Sequence, residues 1–310
     1  MGILLILALA LILDFAFGDP PDAFHPVAWM GKAISFLERK GLSRPTSSHF
    51  AYGVMITIAI VALFTVPAYL LLSYLKDISL VAYVIVGALV LKLAFSFRGL
   101  RRTALKIKNL LHDDKLDRAR FELRALVGRD TSTLSQPHLV SATVESVAES
   151  TCDSFVAPLF YFLIFGVPGA VAYRAVNTLD SMIGYHGRYE HLGKFASRAD
   201  DVLNYIPARV TALLLIVAAF FSGRNGKRAW RVALSDHSKT ASPNAGWPMA
   251  TTAGALNIQL EKANHYKLGG ANAKLVPKTI DKSLTLMLIA VVFWILICFA
   301  IKVGYFVYST

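Results

Sequence analysis

Three carboxylates recur at every fourth position near the middle of the 310-residue chain, at Glu145, Glu149 and Asp153. On a helix this spacing stacks the three side chains along one face. Like charges in such a column repel one another unless a cation, basic side chains or water screens them. Oxygen ligands without clustered thiolates or imidazoles suit Mg²⁺. A divalent-cation site, basic partners from elsewhere and simple solvation all stay open on spacing alone.

A second polar group lies between residues 174 and 209. Its amides and carboxylates are spaced about one helical turn apart, and its arginines suit anionic ligands. The members are Asn177, Asp180, Arg198, Asp200, Asp201, Asn204 and Arg209. Adjacent aspartates point in different directions on a helix, so Asp200 and Asp201 need not face the same ligand. A position near a helix N-terminus also explains one of these aspartates by the helix dipole alone.

An acid and a histidine are fixed by prolines just after the first apolar segment. Asp19 precedes Pro20 and Pro21, and His25 precedes Pro26. Tandem prolines stop a helix and hold the next residues extended. His25 is therefore either a solvated loop residue or a group that transfers protons. Asp14, inside the apolar segment, is either interfacial or turned into a polar cavity.

A second proline-rich loop reads Ser-Pro-Asn-Ala-Gly-Trp-Pro-Met-Ala at residues 242–250. Proline and glycine at this density hold the backbone in a fixed loop, and small residues let a ligand approach. The backbone N–H groups, together with Ser242 and Asn244, suit the oxygens of an anion. After this loop, residues Ala250 to Leu260 are expected to form a helix.

The elements that must position these residues are membrane helices. The chain is 55% hydrophobic with a mean hydropathy of +0.52, whereas soluble domains average roughly 45–50% apolar. The excess is concentrated in six hydrophobic segments, at 3–17, 52–75, 78–97, 155–173, 203–221 and 284–305. We predict an all-α polytopic membrane protein with four to six hydrophobic helices and additional amphipathic cytoplasmic helices. Residues 1–310 are expected to form a single integral membrane domain.

The formal net charge of +12 points to the cytoplasmic side of a membrane. Basic residues crowd the polar regions 98–153 and 222–283, and the positive-inside tendency places such regions in the cytoplasm. We therefore expect a multi-pass protein of the cell (inner) membrane whose active site faces the cytoplasm. Nucleic acid is excluded as a partner because no recognition motif accompanies the basic residues. No Walker phosphate loop or Gly-x-Ser-x-Gly elbow occurs either.

Two hydrophobic segments carry residues that interrupt a regular helix. Segment 155–173 contains Gly166 and Pro168, and segment 203–221 contains Pro207. Straight spans of about 20 residues would separate the polar clusters by about 30 Å. Re-entrant or broken segments, which are tolerated where they line a polar cavity, would let the clusters converge. The prolines and glycines favour the second arrangement, which predicts one pocket shared by Glu149 and Asp180.

Six motifs together resemble one family. They are Asp-Pro-Pro…His-Pro-Val at 19–27, Gly-Arg-Asp-Thr-Ser at 128–132, Glu-Ser-Val-Ala-Glu at 145–149, Asn-Thr-Leu-Asp-Ser-Met-Ile-Gly-Tyr at 177–185, Asp-Asp-Val-Leu-Asn-Tyr-Ile-Pro-Ala-Arg at 200–209, and the 242–250 loop. In order, and over nearly the whole chain, they resemble the CobD/CbiB family of cobalamin biosynthesis, the adenosylcobinamide-phosphate synthases. This resemblance implies ATP- and Mg²⁺-dependent amide formation. The reactants would be the free propionate of adenosylcobyric acid and an amino-alcohol or its O-phosphate, such as aminopropanol phosphate.

The same resemblance suggests a role for each polar cluster, because activating a carboxylate with ATP concentrates negative charge. Candidate catalytic residues are Glu145, Glu149, Asp180 and His25. Candidate metal ligands are Glu149, Asp153, Asp180, Asp200 and Asp201. Candidate groups for binding substrate or phosphate are Arg129, Asn177, Arg198, Asn204, Arg209, Ser242 and Asn244. One departure from the family pattern, which usually has Asn-Thr-x-Asp-Gly after the glutamate, is Ser150-Thr151-Cys152-Asp153-Ser154.

The implied partners are a corrinoid, an amino-alcohol or its phosphate, ATP and the lipid bilayer, with assembly into a homo-oligomer left open. The alternative function is that of an AmpE-like membrane regulatory protein without catalysis, which would be expected to lack several of the six motifs. A transporter of an anionic cofactor predicts repeat symmetry between the two halves, and the sequence has no internal repeat.

Overall fold

The protein is built almost entirely from α-helices. The computed structural model describes residues 2–21, 23, 25–185 and 187–309, and the side chains of Tyr305, Phe306, Tyr308 and Ser309 are not part of the description. The helices are α1 (Gly2–Phe17), α2 (Pro26–Leu42), α3 (His49–Ile78), α4 (Leu80–Lys92), α5 (Arg98–His112), α6 (Leu116–Leu123), α7 (Gln136–Thr151), α8 (Ala157–Ile183), α9 (Lys194–Phe221), α10 (Gly226–Asp236), α11 (Gly246–Leu256) and α12 (Lys278–Ser309). Strands β1 (Gln259–Lys262) and β2 (Tyr266–Gly269) form one antiparallel hairpin.

The apolar helices confirm the predicted all-α polytopic membrane fold. Each of the six hydrophobic segments of the sequence falls on a helix. Four stretches are long and apolar enough to cross a membrane, namely Thr46–Ile78, Gln136–Ile183, Lys194–Phe221 and Lys278–Gly304. Two further apolar helices, Gly2–Phe17 and Leu80–Lys92, are shorter.

The chain divides into two compact units. Unit 1 comprises Met1–Ser96, Ala157–Asn204 and Cys298–Thr310, and unit 2 comprises Phe97–Val156 and Tyr205–Ile297. In unit 1, α1 packs on α4 where Gly87 allows close approach, since a β-carbon there would lie 2.7 Å from Ile6 Cδ1. In unit 2, α10 packs on α11 in the same way, because a β-carbon at Gly254 would lie 2.8 Å from the Ala229 Cα.

Helix α8 of unit 1 turns back on itself at Gly166. This residue has φ 68° and ψ −161°, a backbone conformation that is essentially restricted to glycine. The Tyr161 and Tyr173 rings stack with their centroids 5.3 Å apart, whereas twelve residues of straight helix would rise about 18 Å. A β-carbon at Gly169 would lie 2.6 Å from the Tyr161 carbonyl oxygen. The sequence prediction that segment 155–173 is broken is therefore confirmed.

A break in an apolar helix frees backbone carbonyl groups, which have no water to bind in a bilayer. Lys302 on α12 donates from its Nζ to the carbonyl oxygen of Leu163, at 2.7 Å. Pro168 cannot donate a backbone hydrogen bond of its own. The amine of Lys302 thus satisfies a carbonyl next to the turn.

Segment 203–221 behaves differently, because α9 runs continuously through Pro207. Proline removes the N–H that would bond the carbonyl of the residue four positions earlier, which is Leu203. The Tyr161 hydroxyl donates to that carbonyl oxygen at 2.8 Å. A side chain from α8 therefore replaces the missing donor, and the helix needs no break there.

Unit 2 departs from the sequence prediction after the loop at 242–250. We expected helix as far as Leu260, but α11 ends at Leu256, where Asn257 has φ 60° in the left-handed region. The β1–β2 hairpin follows, with the Glu261 N–H donating to Ser141 Oγ at 2.9 Å and the Gly269 N–H to Asp236 Oδ2 at 2.7 Å. These two hydrogen bonds fasten the hairpin to α7 and α10.

The turn at Gly166 can be tested by adding one methyl group. We expect Gly166→Ala to lower the free energy of unfolding by about 1–3 kcal/mol, because alanine is strained at this backbone conformation. Pro168 Cδ, 3.8 Å away, is the nearest atom that the new β-carbon would meet, so crowding is not the cause. The measurement is denaturant unfolding of the purified protein in detergent.

The matched control is Gly304→Ala on α12, where the backbone is helical and a β-carbon would meet no atom of the described residues within 4 Å. This change should leave stability unaltered or raise it slightly, since alanine favours helix over glycine. Equal stability of the Gly166→Ala protein and the parent would contradict the turn.

Candidate functional site

An amide–carboxylate network in unit 1 joins α8 to the start of α9. Asp200 accepts hydrogen bonds from Asn177 Nδ2 at 3.3 Å and from Asn204 Nδ2 at 2.9 Å. The Tyr173 hydroxyl donates to Asn204 Oδ1 at 2.9 Å and so fixes the orientation of that amide. Asn177 and Asn204 are both buried. The ring that stacks on Tyr161 across the turn at Gly166 therefore also anchors this network.

Asp180 and Asp201 lie beside the network. The Asp180 carboxylate sits over the backbone at the end of α8, where a β-carbon at Gly184 would lie 2.0 Å from its Oδ1. Ser197 hydrogen-bonds to Asp180, and both Asp180 and Asp201 interact electrostatically with Asp200. Arg198 forms an ion pair with Asp201 at 3.6 Å. The structure thus gathers six residues predicted from the sequence, Asn177, Asp180, Arg198, Asp200, Asp201 and Asn204.

Within the described part of the chain, no group of three or more His, Cys, Asp or Glu side chains is arranged to hold a metal ion unaided. Mg²⁺ commonly binds through only one or two protein carboxylates and takes its other ligands from substrate phosphates and water. The carboxylates of Asp180, Asp200 and Asp201 offer the hard oxygen donors that this mode requires. The donor set therefore fits a magnesium ion that arrives with a phosphorylated substrate.

Glu145 is the centre of a second polar cluster, which belongs to unit 2. Its Oε2 accepts from Arg129 Nη2 at 3.2 Å and from the Tyr266 hydroxyl at 2.9 Å, while its Oε1 accepts from Ser141 Oγ at 2.7 Å. The side chain is buried. Burial, with the nearby charge of Glu145, raises the pKa of Tyr266 above its usual value. Tyr266 therefore stays protonated and donates to Glu145.

The other members of the predicted carboxylate column are partly buried. Glu149 is close enough to influence Tyr266 electrostatically. Asp153 lies in the π-helical turn Cys152–Val156, whose wider winding rotates later residues away from the regular α-helical face. Among the described residues, the Nε atom of Arg129 is buried without a hydrogen-bond partner.

Arg209 in unit 2 contacts two aromatic rings. Its guanidinium carbon lies 3.5 Å from the centroid of the Tyr205 ring and 5.1 Å from that of Trp247. The Nη1 atom donates to the Tyr205 carbonyl oxygen at 2.6 Å and to Asn244 Oδ1 at 3.3 Å. His237 stacks on Trp247, with ring centroids 4.0 Å apart. Burial and the Arg209 charge lower the pKa of His237, so the imidazole is neutral near pH 7.

The loop that supplies Asn244 is held by its own polar groups. Ser242 Oγ accepts from the backbone N–H groups of Asn244 at 3.2 Å and Ala245 at 3.4 Å. A β-carbon at Gly246 would lie 2.0 Å from the His237 carbonyl oxygen, so glycine is needed for this close approach. The structure thus places Ser242, Asn244 and Arg209 close together. The hydroxyl oxygen of Ser242 already accepts hydrogen bonds from backbone groups of its own loop.

His25 caps α2, since its Nδ1 accepts from the Val27 N–H at 3.2 Å. Its Nε2 lies 3.9 Å from Asp19 Oδ1. Burial raises the pKa of Asp19, but hydrogen bonds from His25, Lys92 and Ser96 outweigh this effect and hold the pKa below its usual range. Both ring nitrogens of His25 are thus directed at protein groups, and its catalytic role stays a prediction.

Lys92 was missed by the sequence reasoning. It is buried on α4 and pairs with Asp14 at 3.2 Å and with Asp19 at 2.5 Å. Asp14, fully buried, is therefore turned inward rather than toward the interface. A lysine within an apolar segment could have indicated a buried ion pair. Its partner Asp19 is 73 residues away in sequence, so local spacing does not identify the pair.

The predicted site residues are divided between the two units. Unit 1 contains the network around Asp200 together with His25, and unit 2 contains the clusters around Glu145 and Arg209. The pocket that the sequence predicted to be shared by Glu149 and Asp180 stays a prediction.

The chain is similar in sequence to one known protein family. The model of the CobD/Cbib protein family matches residues 7–303. No solved structure matches the chain.

Curated relatives agree with the family model. The cobalamin biosynthesis protein CobD of Dehalococcoides mccartyi is 58% identical over 297 residues, which cover 96% of this chain and 96% of the relative. The probable cobalamin biosynthesis protein CobD of Methanothermobacter thermautotrophicus is 41% identical, covering 91% of this chain and 94% of its own. A CobD protein of Geobacter metallireducens is 42% identical over 83% of this chain and 81% of the relative. The chain therefore belongs to the CobD/CbiB family of cobalamin biosynthesis.

Proposed function

We propose that this protein joins the free propionate of adenosylcobyric acid to an amino-alcohol, or to its O-phosphate such as aminopropanol phosphate, by an amide bond. ATP is the co-substrate, and the product is adenosylcobinamide or its phosphate. The observation that carries the proposal is the fixed carboxylate–amide network of Asp180, Asp200, Asn177 and Asn204 on membrane helices. Ionisable groups on membrane-spanning helices are rare and usually functional, and membership of the CobD/CbiB family of cobalamin biosynthesis supports a corrinoid substrate.

The proposed reaction explains why carboxylates and arginines are both needed. A carboxylate and an amine do not condense spontaneously in water, so ATP cleavage must drive the step. Mg²⁺, when bound, would neutralise the phosphate charge that develops during this activation. The protein must provide oxygen ligands for the metal and cationic donors for phosphate or propionate oxygens.

In unit 1, we assign the carboxylates of Asp180 and Asp201 to the Mg²⁺ ion carried by ATP. Asp200 already accepts hydrogen bonds from two amides, so its oxygens are less available to a metal. Asn177 and Asn204 hold Asp200 in one orientation, and Arg198 lies within ion-pair distance of Asp201. In unit 2, Glu149 and Asp153 are the alternative oxygen ligands, and Glu145, which is paired with Arg129, lies one helical turn before Glu149.

Arg209 is the candidate residue of unit 2 for donating hydrogen bonds to an anionic substrate. Its guanidinium carbon lies close to the rings of Tyr205 and Trp247, and its Nη1 atom donates to the Tyr205 carbonyl oxygen and to Asn244 Oδ1. These contacts limit the orientations of the guanidinium, whose planar edge carries further N–H donors. Such an edge suits bidentate binding of a carboxylate or a phosphate. We assign Arg209, together with Asn244 and Ser242, to binding the propionate or the amino-alcohol phosphate.

The site is expected to face the cytoplasm from the cell membrane, since ATP is cytoplasmic and both polar regions are basic. A homo-oligomer is compatible with this proposal and is not required by it. The alternative, an AmpE-like regulatory protein, predicts no turnover under any condition.

The direct test is turnover by the purified protein in lipid nanodiscs. With adenosylcobyric acid, ATP, Mg²⁺ and aminopropanol phosphate or the free amino-alcohol, we expect the corrinoid mass to rise by that of the amine minus water. Omission of ATP, or chelation of Mg²⁺, should abolish the product.

We further expect Asp180→Asn and Glu149→Gln to reduce turnover at least about 100-fold, as loss of an electrostatic group at a reacting centre does. Mass spectrometry of the corrinoid measures all of these outcomes.

Asp117→Asn is the control for these variants, because Asp117 is an exposed aspartate of α6 paired with Arg120. It should keep parental turnover. Near-parental activity of Asp180→Asn or Glu149→Gln would remove that residue from the catalytic machinery. An absence of product with every amine offered would favour the regulatory alternative.

A second prediction concerns Arg209→Lys. Lysine retains the charge but loses the planar fork, so we expect kcat/KM to fall about 10–100-fold, the equivalent of one charged hydrogen-bond pair. The fall should appear mainly in KM for the substrate that Arg209 binds. Arg124→Lys is the matched control, since Arg124 lies 5.8 Å from the ring of exposed Phe121. Equal kinetics for the two variants would exclude Arg209 from substrate binding.

A further inference from the structure

Helix α10 has one buried face and one face that no described element covers. Gly226, Ala229, Ala233 and Asp236 are its buried residues, and Gly226 lies at its first turn. Trp230 is 47% exposed and Leu234 is 51% exposed. Lys227 and Arg231 on the same helix are exposed as well. Positions 227, 230, 231 and 234 form a single stripe on a helix, so two large apolar groups and two cations share this face.

The start of α10 is attached to the apolar end of α9. Phe220 and Phe221, the last residues of α9, are 55% and 71% exposed. A β-carbon at Gly226 would lie 2.4 Å from Cε2 of the Phe220 ring, so the ring packs directly on the first turn of α10. Because α9 is one of the candidate membrane spans, this contact fixes the beginning of α10 at the end of a span.

The charge of this segment has one sign. Residues 222–235 contain four basic side chains, Arg224, Lys227, Arg228 and Arg231. The same stretch contains no acidic side chain. Asp236, which follows, is buried and accepts from Lys239 and from the Gly269 N–H. Tryptophan prefers the membrane–water interface, and basic residues near the surface are attracted to anionic lipids.

We propose that α10 is an interfacial helix that lies in the headgroup layer and binds anionic phospholipids. Trp230 and Leu234 enter the boundary between headgroups and acyl chains, and Lys227 and Arg231 bind lipid phosphates. An apolar stripe flanked by cations is typical of helices that lie in the plane of a membrane surface. On the buried side, α10 packs on α11, which follows the loop of Ser242 and Asn244, so the lipid contact supports that part of unit 2 from outside.

The test places a nitroxide spin label at Leu234→Cys in the full-length protein. The native Cys152 and Cys298 are 2% and 0% exposed, so they stay unlabelled. In nanodiscs that contain phosphatidylglycerol, we expect the label to collide with oxygen and to be shielded from a water-soluble nickel chelate. A label at Lys274→Cys, an exposed loop position of the same unit, should show the opposite preference.

Nickel access at residue 234 equal to that at residue 274 would overturn the proposal. That outcome would make the face a water-exposed surface suited to another protein or a second copy of the chain.

A second comparison separates anionic headgroups from lipid in general. The double change Lys227→Gln and Arg231→Gln should increase nickel access at residue 234 several-fold in phosphatidylglycerol, and less in phosphatidylcholine. The control pair Lys274→Gln and Lys278→Gln, also exposed cations of unit 2, should leave nickel access unchanged. If the first pair has no effect in phosphatidylglycerol, α10 does not bind anionic lipid and this proposal fails.

Discussion

The backbone reversal at Gly166 is the constraint on which the polar architecture of unit 1 depends. It brings Tyr161 and Tyr173 face to face, although twelve residues separate them. Each tyrosine hydroxyl then reaches α9: Tyr161 bonds the Leu203 carbonyl, and Tyr173 bonds the Asn204 side chain. One turn in α8 therefore stabilises the proline-containing helix α9 and orients the amide that holds Asp200.

This arrangement follows from the cost of unsatisfied backbone groups in lipid. A helix can reverse at membrane depth only if other side chains bind the carbonyls it exposes, and Lys302 does so at Leu163. A proline inside a span needs the same treatment, which Tyr161 provides. Satisfying the backbone at the turn and at Pro207 thus keeps α8 and α9 in the arrangement in which Tyr173 reaches Asn204.

Much of this could be predicted from local sequence. Hydropathy alone located six apolar helices, and the pairing of glycine with proline at positions 166 and 168 indicated the broken one. The spacing of Asn177, Asp180, Asp200 and Asn204 predicted the residues that the structure brings together in unit 1. These features are encoded within a few turns of chain, where helix periodicity and the stereochemistry of glycine and proline decide the structure.

The features that sequence reasoning missed depend on partners far apart in the chain. Pro207 indicated a break in α9, but its missing donor is replaced by a tyrosine 42 residues away from the carbonyl it serves. The role of Lys92 as the ion-pair partner of Asp14 and Asp19 is shown only by the structure. Helix was predicted as far as Leu260, but Asn257 in the left-handed region ends α11 at Leu256. The β1–β2 hairpin that follows is held by hydrogen bonds to Ser141 and Asp236. Tertiary contacts, rather than propensity, decided each of these points.

The fold-back of α8 at Gly166 can be measured with a pair of introduced cysteines. Tyr161→Cys and Tyr173→Cys would be introduced together after Cys152 and Cys298 are replaced by alanine, and treated with a short bifunctional methanethiosulfonate. The same spacing of twelve residues on uninterrupted α3, at Ile58→Cys and Leu70→Cys, gives the control, with the sulfurs about 18 Å apart. We predict an intramolecular bridge, seen as a mass increase, for the first pair and none for the second. A first pair that reacts only as two separate thiols would mean that α8 runs straight, and the account would be wrong.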